Sequence, residues 1–376
     1  MGKQLSNIYR LGIKELISLR SDPVMVLLIL YVFTVAIYTV ATGGSVEIEN
    51  ASIAVVDEDR SPLSRRIGAA LLKPYFHAPA KLGVEEIDAA MATGRYTFVI
   101  DIPPDFQKDA MAGRSPAIQV NVDATAVSQA GIGAVYLQNI IAQEVLAFMQ
   151  KQDVMLTLPV DLVVRAKFNP NLRSSWFNAV MELINNVTIL AILLTGAAVT
   201  REREHGTIEH LLVMPLHPAE IMLAKVWANG LIIVIAATLS LYLVVHWLLN
   251  VPIMGSVSLF VLGTVMYLFS VTSLGIFLAT LTRSMPQFGL LAIPVFVSMY
   301  LLSGGTTPLD SMPEWLQIVM QFSPSTHFVS LAQAILYRGA GLDVVWSSLL
   351  AITAIGAVFF LVALGLFRRT VSLTQV

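Results

Sequence analysis

Six stretches of this sequence are long, apolar and almost free of charge: Val24–Ala41, Trp176–Thr200, Ile221–Leu248, Ser258–Leu281, Phe288–Leu302 and Val344–Phe367. Crossing about 30 Å of hydrocarbon as a helix takes roughly 20 residues, and each of these runs is near that length. The chain is therefore expected to be an α-helical integral membrane protein with six transmembrane helices. Composition agrees, since 56% of the residues are hydrophobic and 13% charged, against roughly 25% charged in soluble domains. A formal net charge of -2 shows no global basic excess and disfavours nucleic acid as a principal partner. Cysteine is absent, which removes disulfides, thiolate nucleophiles and thiolate-held zinc.

Short loops set the orientation. Lys3, Arg10, Lys14 and Arg20 precede the first run, Arg201 and Arg203 follow the second, Arg283 follows the fourth, and Arg368 and Arg369 follow the sixth. All fall on one side, while the opposite short loops offer only Arg338. The positive-inside rule then puts both termini in the cytoplasm. Tyr31, Trp176, Trp247 and Trp346 are expected mostly near span ends, as interfacial aromatics. Removal of the first run as a signal peptide is disfavoured: the segment before it is too long for a signal n-region, and Thr39-Val40-Ala41 is a poor small-x-small site.

Before the first span, Leu5, Ile8, Gly12, Leu16 and Leu19 recur every three or four residues, with Lys3, Arg10, Lys14 and Arg20 largely off that stripe. This predicts an amphipathic helix, either flat at the cytoplasmic interface or extending the first span. Between the first two spans the texture is soluble. Ser52–Val56, Tyr96–Ile102 and Ile118–Val122 read as strands, and Pro62–Lys73, Val84–Thr93 and a short segment from Pro104 read as helices. The alternation predicts an α/β layer on the extracytoplasmic side. Ala126–Gln150 is expected as a long helix, rising as a stalk or packed on the sheet.

Neither metal nor catalysis is expected here. His77 stands alone in the inserted segment, and Asp57, Glu58, Asp59, Glu85, Glu86 and Asp88 read as a solvated acidic face. Histidines 205, 210 and 217 are five and seven residues apart, which keeps them off one helical face. In the second span Glu182, Asn185 and Asn186 fall at i, i+3 and i+4, one carboxylate and two amides on one face. They are candidates to line a path through the membrane; wetting at the outer end and helix–helix hydrogen bonding are the other readings. Residues 303–341 are apolar but broken by Pro308, Pro313, Pro324, Gly304, Gly305, Gly339 and Gly341. Two short helices, Glu314–Gln321 and Thr326–Tyr337, in an outer re-entrant hairpin fit that pattern.

After the second span comes Arg201-Glu202-Arg203-Glu204-His205-Gly206-Thr207, then Leu211-Leu212-Val213 and Pro215. Thr207 can cap a short helix with Ile208, Leu211 and Leu212 on its apolar face. Together with Tyr96–Phe106 followed by Asp123-Ala124, Phe168-Asn169-Pro170, Ser303-Gly304-Gly305, Met312-Pro313 and Pro324-Ser325-Thr326-His327, this segment makes nearly the whole chain resemble permease subunits of bacterial ABC type-2 transporters. The resemblance is to the subgroup with a large periplasmic domain between the first two spans, commonly described as multidrug efflux permeases.

The resemblance implies a division of the chain into a cytoplasmic interface helix (1–22), a first span (23–42), an extracytoplasmic α/β domain (43–175), a five-helix transmembrane domain (176–367) and a cytoplasmic tail (368–376). Within the fourth part lie a cytoplasmic coupling helix (201–218) and the outer hairpin (303–341). It further implies that Arg201, Glu202, Arg203, Glu204, His205, Gly206, Thr207, Glu209 and Leu212 contact an ABC ATPase subunit. No G-x-x-x-x-G-K followed by Ser or Thr occurs in the chain, so ATP and Mg are expected in that partner and no cofactor here. Six spans resemble a half-transporter, which implies a second copy or a related permease. A periplasmic adaptor protein leading to an outer-membrane channel is the further partner implied, in a bacterial inner membrane. A proton-driven carrier is disfavoured because Glu182 is nearly alone as a buried acid. A membrane-anchored receptor or adaptor, its outer domain sensing or docking a partner, is the alternative function.

Overall fold

The computed structural model describes residues 2–43, 51–72, 75–123, 127–150, 173–204 and 216–374. The chain divides into two compact units, residues 1–44 with 166–376, and residues 45–165.

Among the described residues of the first unit, six helices are long and apolar enough to cross a membrane. After the amphipathic helix α1 (Gly2–Arg20) come α2 (Pro23–Gly43), α7 (Ser174–Glu204), α8 (Pro218–Leu248), α9 (Val257–Leu281), α10 (Met285–Leu302) and α13, which spans Leu342–Arg368 and continues to Thr374. Burial separates interior from periphery. In the most apolar stretch of α7 78% of residues are buried and in α9 67%, against 17–33% in the other four. The interior pair packs backbone to backbone, since a Cβ on Gly275 of α9 would lie 2.9 Å from the Ile192 carbonyl oxygen of α7. Such contact maximises dispersion where lipid removes the hydrophobic drive between helices.

Two short helices, α11 (Glu314–Met320) and α12 (Pro324–Leu336), follow α10. Phe328 of α12 stacks on Tyr267 of α9 with centroids 4.0 Å apart, and the Tyr267 hydroxyl pairs with the Thr188 hydroxyl of α7 at 2.6 Å. A stacked ring and one hydrogen bond thus tie three helices through a buried polar group. Trp247 and Trp346 are exposed, whereas Tyr31 sits midway along α2 rather than at its end.

Both α2 and α8 are locally widened to π-helix, at Val32–Ala36 and Leu241–Leu248. A π-turn frees backbone carbonyls that need donors. Asn186 Nδ2 donates to the Val32 oxygen at 2.9 Å, and Ser240 Oγ to the Phe33 oxygen at 2.5 Å. The widened turn of α2 is therefore stitched to α7 and α8.

The second unit holds a four-stranded sheet of order β2-β1-β3-β4, from β1 (Ile53–Asp57), β2 (Ala80–Lys81), β3 (Phe98–Ile102) and β4 (Gln119–Val122). β1 runs parallel to β2 and β3, and β4 antiparallel to β3. Alternation decides the faces. Ile53, Val55, Phe98, Ile100 and Ile102 form a core with α3 (Pro62–Ala70), α5 (Phe106–Met111) and α6 (Val127–Gln150). Ala54, Val56 and Val99 face α4 (Ile87–Ala92). The long helix α6 lies on the sheet: Gly133 leaves room for the Phe98 ring, Leu137 is fully buried, and Glu144 pairs with Arg66 of α3.

Candidate functional site

The amphipathic helix α1 is docked along the first half of α8. Gly12 is buried because the indole of Trp227 lies where its Cβ would stand, 2.1 Å from that point. The same indole donates through Nε1 to the Ile8 carbonyl at 3.1 Å and stacks with Tyr9. Glycine at position 12 therefore permits the close approach. Ile8, Leu16 and Leu19 are half-buried, but Leu5 is 66% exposed and off the contact, which begins with Asn7. Asn7 Nδ2 donates to Glu220 Oε2 at 3.2 Å, and that oxygen also accepts from the His217 backbone N–H at 3.3 Å, capping α8.

Charge completes the joint. Lys225 of α8 is 2% exposed, and its ammonium lies 2.9 Å from Glu15 Oε1 of α1 and 2.9 Å from Glu202 Oε1 of α7. Lys14 approaches Glu202 at 3.8 Å, and Arg201 approaches Asp22 at 3.9 Å. A buried ammonium is tolerated only with such partners. A cavity of about 190 Å³ opens among them, lined by Lys14, Glu15, Ser18, Asp22, Arg201 and Glu202. The neighbouring residues anchor the end of α7 elsewhere: Arg203 Nη1 donates to the carbonyls of Ala279 (3.3 Å) and Thr282 (2.5 Å), and Glu204 Oε1 accepts from the Met285 backbone N–H at 2.7 Å. The run Arg201–Glu204 thus contacts α9 and α10 as well as the α1–α8 joint. His205, Gly206, Thr207, Glu209 and Leu212 lie outside the described residues.

Farther along α7, Glu182 and Asn185 are half-buried and Asn186 is buried. Both amides lie beside the Glu182 carboxylate. Asn186 also donates to Val32 of α2, so the face holds helices together as well as presenting a carboxyl group. Lys225, Glu15, Glu220 and Trp227 were absent from the sequence-based candidates. Lys225 did carry a signal, as an ionisable residue inside the apolar run Ile221–Leu248, where such a residue marks a functional position by default. Its partner Glu15 is 210 residues away, and no local periodicity links the two. Among the described residues no group of three or more His, Cys, Asp or Glu side chains could hold a metal ion. The arrangement offers a charged mechanical joint between three helices.

Residues 24–364 match the family described as ABC-2 family transporter protein. The chain is similar to the inner membrane transport permease YhhJ of Escherichia coli K12, 52% identical over 98% of this chain and 99% of that protein. It is also similar to two proteins of the same organism named as probable multidrug ABC transporter permeases. YbhR is 31% identical over 95% of this chain and 97% of its own length, and YbhS 25% identical over 88% of each.

Proposed function

The chain belongs to the ABC-2 family of transporter permeases, and from that premise we propose that it is the membrane-spanning subunit of an ATP-driven exporter in a bacterial inner membrane. Its substrate in this reading is amphiphilic, a drug, a lipid or a lipid-linked compound, taken from the cytoplasm or the inner leaflet. The multidrug names of YbhR and YbhS support that class. The chain has no phosphate-binding loop of its own, so a separate ABC ATPase binds ATP and Mg and hydrolyses the nucleotide.

The observation that carries the coupling mechanism is the bridge from Lys225 to Glu15 and Glu202. Glu202 stands at the end of α7, immediately before the segment that includes His205, Gly206, Thr207, Glu209 and Leu212. Force applied there by the ATPase passes through Glu202 and Lys225 into α1 and α8, and through Arg203 and Glu204 into α9 and α10. In the same reading both termini are cytoplasmic, and two permease copies, identical or related, enclose a path lined by Glu182, Asn185 and Asn186. Residues 303–341 form a re-entrant hairpin that narrows the outer exit. The α/β unit lies outside the cytoplasm, where it docks a periplasmic adaptor or shapes the exit.

Purification of the tagged full chain from its native membrane tests this reading. A stoichiometric nucleotide-hydrolysing partner is expected. Transport by the chain alone in ATP-free membranes would sink it.

A further inference from the structure

The second unit carries a basic cavity with no role in the reading above. It lies outside the carboxyl end of β1, has a volume of about 400 Å³ and is lined by Val55, Asp57, Arg60, Arg65, Lys81 and Leu82. Three of these side chains are cationic and one is anionic. The register places Lys81 opposite Val55 on β1, on the face covered by α3, which supplies Arg65. Arg60 comes from the β1–α3 loop, where its backbone is left-handed at φ 50°. That conformation is uncommon for a residue with a side chain.

The single carboxylate serves the loop. Asp57 Oδ1 accepts from the Arg60 backbone N–H at 2.8 Å, and Oδ2 from the Ser64 hydroxyl at 3.0 Å. The first-turn N–H groups of α3 are also occupied, that of Leu63 by Gln107 and that of Ser64 by Ser61. The nearby Asp59 carboxylate accepts from the Gln107 backbone N–H. Among the described residues, the Arg60 guanidinium and the Lys81 ammonium make no hydrogen bond or ion pair, and Arg65 uses only Nε, toward the Ser61 carbonyl at 3.1 Å. The cavity therefore presents two free cations and the outer fork of a third, with Val55 and Leu82 completing its lining.

We propose that this cavity is a binding site for a phosphate group, borne by a free anion or by a lipid headgroup. Guanidinium forks match the oxygens of a tetrahedral anion in pairs, and an ammonium adds a compact charge beside them. With its carboxylate already engaged, the site gains net charge compensation only when an anion enters.

The full chain, purified in a maltoside detergent free of phosphate, is titrated by calorimetry with inorganic phosphate and separately with dihexanoyl phosphatidic acid. The R60A/K81A double variant is expected to bind at least roughly tenfold more weakly than the unaltered chain, with a salt dependence reduced in parallel. Both replaced side chains are exposed, so the fold is expected to survive; if the double variant unfolds, Arg65→Gln alone must weaken binding. Tighter binding of phosphatidic acid than of phosphate assigns a lipid headgroup, and comparable binding of the two assigns a free phosphate. Equal affinity in altered and unaltered chains, or no binding of either probe, overturns the proposal.

Discussion

Lys225 shows how one buried charge can organise a membrane protein's edge. Its ammonium is opposed by two carboxylates at 2.9 Å, so its removal takes the nearest cation from both in a poorly solvated place. Lys225→Met is expected to cost about 3–5 kcal/mol, the usual penalty for orphaning a buried ionic partner. A lowered unfolding midpoint in detergent would register it. Adding Glu15→Gln to that variant should recover part of the loss, because the two changes share one interaction and cannot be additive. Full additivity would show that Lys225 and Glu15 do not act together. Asn186 belongs to a milder class. Its bond to the Val32 carbonyl is one interhelical hydrogen bond within the membrane, where such bonds contribute roughly 0.6–1.7 kcal/mol. Asn186→Leu should therefore leave folding intact with a small drop in midpoint, and a large loss of transport on that background would mark the Glu182 face as part of the path.

Among the elements, α1 is seated by one close backbone contact as well as by its polar links. A side chain at position 12 would overlap the Trp227 indole, and forced overpacking costs about 1–3 kcal/mol. Gly12→Leu is expected to lift α1 from α8, read as faster protease cleavage within Gly2–Arg20, while the six spans stay inserted. Unchanged protection would show that α1 is held elsewhere. The six membrane-capable helices were legible in the sequence because hydrocarbon thickness imposes a length and an absence of charge, both visible residue by residue. The stripe of α1 was legible too, with Gly12 buried and Ile8, Leu16 and Leu19 half-buried; Leu5 misled because periodicity cannot tell where a contact begins. The joint itself was not legible. Pairing Lys225 with Glu15 and Glu202 depends on which helices become neighbours, a tertiary choice that leaves no trace in local pattern. The π-turns were hidden for a similar reason: Val32–Ala36 and Leu241–Leu248 read as ordinary apolar helix, and the widened backbone of the first is supported by Asn186 and Ser240 from elsewhere in the chain.

At the scale of the whole molecule, two units with different surfaces share one chain. The membrane unit has an interior of α7 and α9 and a charged joint where α1 meets α7 and α8, and the α/β unit has a separate core around its sheet. This supports a division of labour in which movement driven by an ATPase enters through the joint while the α/β unit meets other partners. Replacing residues 51–150 by a flexible linker is accordingly expected to preserve membrane insertion and ATPase binding but abolish efflux from cells; full efflux without them would remove the docking role. The central claim, that this permease moves substrate only when a separate ATPase acts on it, is tested most directly in proteoliposomes holding the chain and its co-purified ATPase. Movement of an amphiphilic fluorescent dye should require ATP, stop when the ATPase is disabled by a substitution in its own phosphate loop, and fall sharply with Lys225→Met in the permease. Dye movement at an undiminished rate with the ATPase disabled would contradict the account.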